Sequence, residues 1–239
     1  MSAKPVAVFR FSDTEGPGHF ATFLDANRIA WKLYKLDEGE GVPSSSEPFA
    51  GLAFMGGPMS ANDETPWNRA VLELMRDAVE RKVPMIGHCL GGQMMSRALG
   101  AKVTRNPVKE IGWNPVKIED TPAARKWFGE DLGGFITFQW HGDTFALPQG
   151  AERILTGAHC ANQGYVFDDR HLALQCHVEM TPEMIESWIS SGHGEIEANR
   201  SSPAVQPVEK ITGEMGARLP SLSANADRLY RRWITNLRS

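Results

Sequence analysis

Cysteine is scarce in this chain: there are three in 239 residues, and no two are spaced as Cys-x-x-Cys. Three thiols cannot all pair within one chain, so the expectation is a reducing, cytoplasmic setting and not a disulfide framework. The seven histidines include no His-Glu-x-x-His pattern, and no metal or cofactor is expected. No run of eighteen or more apolar residues occurs and no apolar leader follows Met1, so neither a membrane span nor a secretory signal is expected. Excess positive charge is also missing. The net charge of −4 removes the electrostatic reason to expect nucleic-acid binding. No internal repeat is visible.

What is present is an alternation. Strand-length apolar runs, among them Val6-Ala7-Val8-Phe9, Trp31 to Leu36 and Leu52-Ala53-Phe54-Met55, alternate with amphipathic segments such as Phe20 to Ala26. That pattern predicts an α/β fold, an open and mostly parallel sheet flanked by helices. Thr65-Pro66 and Thr181-Pro182 both read as helix starts, with threonine as cap and proline at the first helical position. Trp67, Val71, Met75 and Val79 fall on one helical face and read as a core-facing stripe. Asp37 to Pro48 reads as an exposed loop.

The segment richest in chemistry is Gly87-His88-Cys89-Leu90-Gly91-Gly92-Gln93, between the apolar run Val83 to Ile86 and a helix-like stretch from Met94 to Leu99. A side chain lifted from a tight strand-to-helix turn needs small residues two before and two after it, and Gly87 and Gly91 satisfy that need. A thiol there lies at the positive end of the following helix, which favours negative charge on sulfur. A glycine-rich phosphate cradle is disfavoured because no Gly-Lys-Ser/Thr ending follows. The plainer alternative is a buried apolar cysteine beside glycines that permit close packing.

A nucleophile needs a base and a group that orients the base. Leu172 to Glu179 has strand character, and residues two apart on a strand share a face, so His177 and Glu179 are expected to project together.

Together, Gly87-x-Cys89-x-Gly91-x-Gln93, His177-x-Glu179 and Phe54-Met55-Gly56-Gly57-Pro58-Met59-Ser60 resemble the class I glutamine amidotransferases over about residues 4 to 190. The block Met55 to Trp67 looks most like freestanding members that resemble the glutaminase part of GMP synthase. The resemblance implies a flavodoxin-like sandwich. It makes Cys89 the nucleophile, His177 the general base and acid, and Glu179 the residue that orients His177. It also implies an oxyanion hole from the N–H groups of Gly57 and Leu90, a substrate contact from Gln93, and an amino-acid head held by the backbone of Trp140, His141, Gly142 and Asp143. Two positions depart from the family pattern: Val178 stands where proline is usual, and Cys176 where an aromatic is usual.

The implied reaction releases ammonia and glutamate from glutamine through a glutamyl thioester. The implied partners are a small-molecule substrate and a separate ammonia-accepting synthetase, since no nucleotide-binding glycine motif is visible. A γ-glutamyl peptidase using the same triad, and a catalytically silent binding or regulatory module, stay open as alternatives. Residues 1–191 are expected to form the catalytic domain. Residues 192–239 are expected to be an extension, with a surface linker followed by a terminal helix carrying Leu229, Tyr230, Trp233, Ile234 and Leu237. That helix either docks on its own domain or offers its aromatics and arginines to a dimer or other partner.

Overall fold

The computed structural model describes residues 4–238. One mixed sheet forms its centre. Strands β1 (Val6–Arg10), β2 (Trp31–Lys35), β3 (Gly51–Phe54), β4 (Met85–His88) and β9 (His171–Leu174) run parallel in the order β2-β1-β3-β4-β9. From β9 the sheet continues antiparallel through β8 (Gly164–Phe167), β7 (Glu152–Gly157) and β5 (Val103–Ile118). Strand β6 (Gly134–Phe145) pairs antiparallel with β5, and the two-residue β10 (Ala204–Val205) pairs with it in parallel. The expected mostly parallel α/β sheet is therefore present.

Both faces of the parallel half are covered, which is why its strands are continuous apolar runs. Side chains alternate between two cores. Val6 and Val8 join Phe20, Phe23 and Leu24 of α1 (Gly18–Ala26) on one side. Ala7 and Phe9 join Val71 and Met75 of α2 (Asn68–Glu80) and Met94 of α3 (Leu90–Ala98) on the other. Helix α4 (Pro122–Phe128) and α5 (Pro182–Ala198) both pack against α6 (Val208–Ile234), and α5 also meets β6 at Trp140.

Several expected boundaries move. Helix α2 begins at Asn68, not at Pro66, and Thr65 caps nothing: its hydroxyl is buried without a hydrogen-bond partner. Asn68 does the anchoring, donating from Nδ2 to the carbonyls of Ala61 (3.1 Å) and Asp63 (2.8 Å) and so fixing the preceding loop. At α5 the expected cap holds, with Thr181 accepting from the Met184 N–H.

Ser191, the expected edge of the catalytic unit, lies inside α5, which runs on to Ala198. Gly192, which in sequence suggests a linker, packs against an indole: a Cβ there would lie 2.3 Å from Trp140 Cζ2. The terminal helix starts about twenty residues before Leu229, the first of its expected apolar positions, at Val208, and continues through Pro220. Leu222, Ala226, Leu229, Tyr230 and Trp233 are fully buried. Of the two readings of this helix, docking on its own domain is the one observed: its aromatics enter the chain's own core, where Tyr230 and Trp233 meet Phe20 edge-on at 4.9 and 5.7 Å. Burial of aromatics this large dominates local stability. Arg228 adds a bidentate pair to Asp131 (2.7 Å for each bond) and Arg232 a contact to Asp169 (2.8 Å).

Candidate active site

Strand β4 delivers the chain to Cys89, whose backbone sits at φ 46° and ψ −105° before α3 begins at Leu90. A non-glycine residue held there costs on the order of 1–3 kcal/mol and persists only when its surroundings over-determine it. Here the Cys89 N–H donates to the Leu174 carbonyl (2.8 Å), and the Cys89 carbonyl accepts from the Gln93 N–H (2.9 Å). The glycines on either side are sterically required. A Cβ on Gly91 would lie 2.2 Å from the Phe54 carbonyl oxygen, and one on Gly87 would lie 2.5 Å from the Gly91 carbonyl carbon. The Gly91 N–H also donates to Met55 (3.1 Å), tying the elbow to the loop that carries Gly57. Gly57 abuts the Leu90 side chain, so the two residues expected to supply oxyanion donors are neighbours.

Strand β9 stops at Leu174, five residues short of the expected strand end. Its parallel partner β4 ends opposite, at His88, where the chain turns into the elbow and no longer offers a ladder. Beyond that point His177 makes one bridge to β6, donating its N–H to Phe138 (2.9 Å) while the Thr137 hydroxyl donates to its carbonyl (3.1 Å). The expected pairing holds nonetheless. His177 Nδ1 lies 2.7 Å from Glu179 Oε1, and both side chains are buried. Trp188 of α5 packs edge-on against the imidazole at 4.8 Å.

Burial alone would push the His177 pKa down. The charge of Glu179 and the contact with Cys89 overcome that and raise it well above the ordinary imidazole value. Burial likewise opposes ionisation of Glu179, but the nearby His88 and His177 hold its carboxyl at about 2. The pair is therefore set up as carboxylate and imidazolium, with Nδ1 donating to Glu179 and Nε2 left for Cys89.

Cys89 opens onto a cleft of about 550 Å3. Gly57, Gln93, Trp140, His141, Gly142 and Asp143 line it, whereas Leu90, His177 and Glu179 are buried and do not. The Cys89 sulfur is 4.0 Å from the Trp140 carbonyl oxygen. Gln93 Nε2 donates to the Asp143 carbonyl (3.3 Å) and to Gln175 Oε1 (3.2 Å). His141 faces the strand lining through its backbone only, because its imidazole is buried against Glu110 (2.9 Å).

Two further residues at the site were not found in the sequence. Gln175 Nε2 lies 3.5 Å from the Cys89 sulfur, linking Cys89 to Gln93. Glu15, in the loop after β1, reaches over Gly56: a Cβ there would lie 2.0 Å from Glu15 Oε2 and 3.1 Å from His177 Cε1. Although part of Glu15 is exposed, its carboxyl is enclosed, and burial, with help from the Glu179 charge and against the pull of His177, raises its pKa to about 7. The signal that could have found Glu15 is its position at the carboxyl end of a parallel strand, the edge where open α/β sheets place ligands.

The family model for glutamine amidotransferase class-I matches residues 26–189. The chain belongs to the class I glutamine amidotransferase family. A putative glutamine amidotransferase-like protein YfeJ of Salmonella typhimurium is 30% identical over 173 residues, covering 70% of this chain and 72% of that protein. A GMP synthase [glutamine-hydrolyzing] of Herminiimonas arsenicoxydans is 32% identical over 146 residues, 55% of this chain but 25% of that protein. Among solved structures, a glutamine amido transferase from Methylobacillus flagellatus superposes with a TM-score of 0.96 at 43% identity, covering 99% of this chain and 96% of that one. The amidotransferase family model ends before α6, whereas the Methylobacillus structure extends across nearly the whole chain. No helix among the described residues is long and apolar enough to cross a membrane.

Proposed function

We propose that this amidotransferase hydrolyses the side-chain amide of glutamine. The Cys89 thiolate bonds to the amide carbon while the C–N bond breaks, and His177 gives a proton to the departing ammonia. A water then loses a proton to His177 and attacks the thioester, the C–S bond breaks, and glutamate leaves with the thiol restored. The N–H groups of Gly57 and Leu90 stabilise the oxyanion in both steps, a contribution of about 3–4 kcal/mol per donor in such sites. Glu179 keeps the proton of His177 on Nδ1 and supports the imidazolium. Gln93 and the backbone from Trp140 to Asp143 hold the amino-acid head.

One observation carries this reading: a thiol held at positive φ on a helix N-terminus stands over a buried His177–Glu179 pair 2.7 Å apart. The ammonia goes to a separate synthetase in the cytoplasm, in keeping with the likeness to the glutaminase part of GMP synthase.

A second reading, a γ-glutamyl peptidase, is favoured by the cleft, whose volume of about 550 Å3 exceeds what a glutamine requires. Incubating wild type and Cys89→Ala with glutamine and with γ-glutamyl dipeptides separates the readings. Cys89-dependent ammonia from glutamine supports the first and preferential release of the dipeptide's amine supports the second. Absence of both turnover and a covalent adduct by intact mass leaves two readings, an enzyme active only with its partner and a silent binding or regulatory module.

A further inference from the structure

The Glu179 carboxylate is completely enclosed, and only half of it is accounted for by the triad. Oε1 accepts from His177, whereas Oε2 has no hydrogen-bond partner among the described residues. An ionised oxygen buried without a donor is costly, so what faces it matters. Facing it is His88 Nε2, at 3.9 Å. His88 immediately precedes the nucleophile and is itself fully buried. The same nitrogen lies 3.1 Å from the Tyr230 hydroxyl, which descends from α6. The Tyr230 ring is held by Phe20 (4.9 Å) and Phe23 (5.4 Å) of α1. The other titratable groups around this cluster are His177, on the far side of Glu179, Glu15 and Cys176, both of which feel the Glu179 charge, and the His19–Asp227 pair (2.8 Å), whose imidazole stands 6.4 Å from the Tyr230 ring.

We infer that His88 and Tyr230 form a second tier behind the triad, in which the Tyr230 hydroxyl orients the His88 imidazole so that Nε2 faces Glu179 Oε2 and holds the carboxylate that orients His177. Both are positioning residues, since neither touches the reacting atoms. In this tier the ring proton of His88 is on Nε2, which lies between two oxygens, the phenol oxygen at hydrogen-bond distance and the carboxylate about 1 Å too far for a full bond. Losing this donor leaves the Glu179 charge less compensated and its carboxyl easier to protonate. The tier also gives α6, which lies beyond the family match, a part in the site: it reaches the triad through one hydroxyl. The inference rests on the triad reading above.

The test uses the full chain and a readout that needs no substrate, the pH dependence of Cys89 alkylation by iodoacetamide, located by peptide mass. Glutaminase kcat and KM and thermal unfolding are measured beside it. Tyr230→Phe removes one oxygen and keeps the ring. His88→Leu removes the donor, and His88→Gln restores an N–H near the place of Nε2. The expected result for Tyr230→Phe and His88→Leu is an acid limb moved up by about half a pH unit or more. With it, kcat falls about 5- to 10-fold at a KM within about twofold, and His88→Gln recovers most of the loss. A wild-type acid limb that moves in neither variant overturns the tier, whatever happens to stability. A wild-type profile that does not change in His177→Ala overturns the triad reading, and the tier with it. If His88→Leu fails to fold, Tyr230→Phe decides alone.

Discussion

Among the described residues the same three residue types meet in two buried groups, whose surroundings differ. Cys89, His177 and Glu179 form the first. Glu110, His141 and Cys160 form the second, with their donor atoms all within 4.8 Å of one another. In the first group the thiol is at positive φ on a helix N-terminus and opens on the cleft, and one imidazole nitrogen is left for it. In the second, both nitrogens of His141 are engaged, Nδ1 with the Asp143 carbonyl and Nε2 with Glu110, each at 2.9 Å. Gln163 also donates to the same Glu110 oxygen at 2.8 Å, while Cys160 pairs with the Thr144 hydroxyl at 3.2 Å. Burial raises the Cys160 thiol to about 11. Composition of a cluster therefore decides little. An accessible sulfur and a free imidazole nitrogen distinguish the group proposed to react from a polar core whose hydrogen bonds are internal.

The comparison breaks first at the sulfur atoms. Cys89→Ala is expected to lower turnover by about 10^4-fold or more, and Cys160→Ala to leave it within about threefold, measured as ammonia release. Comparable losses would erase the distinction. At the carboxylates the two groups should separate by type of effect. Glu179→Gln is expected to cut kcat about 10^2- to 10^4-fold with little change in KM. Glu110→Gln is expected to act on stability instead, by about 2–4 kcal/mol in denaturant unfolding, because it leaves buried donors poorly matched.

Acid sharpens the contrast next. The Glu179 pKa is about 2 in the folded chain against an ordinary 4.5, so its stabilising contribution is complete above 4.5 and is lost as pH falls toward 2. Glu179→Gln is expected to flatten stability across that window in acid unfolding curves, and an unchanged slope would deny the pairing. The smallest effect belongs to Glu15. With its carboxyl near 7, Glu15→Gln should remove an inflection near neutral pH from kcat/KM at a cost of less than about tenfold.

The elbow was legible in sequence because its demands are local: Gly87, Cys89 and Gly91 lie within one turn, and their steric reasons are intrinsic to strand-turn-helix geometry. His177 and Glu179 were legible for the same reason, although the period-2 argument worked through a single bridge to Phe138 and not through a continuous strand. The C-terminal part was misread where local breakers yielded to packing. Gly192 permits contact with Trp140, and Gly213, Gly216 and Pro220 sit inside a helix whose other face is core. Glu15, Gln175, His88 and Tyr230 carry no local signature. Their roles come from contacts between residues brought together only by the fold.

The docking of α6 has a consequence for the order of events during synthesis. His88 meets a tyrosine made 142 residues later, and Trp233 closes the same core against Phe20. A nascent chain ending before that helix has its elbow in place but lacks the phenol that meets His88 and the indole that meets Phe20, so the core behind Cys89 is closed by the last helix to be made.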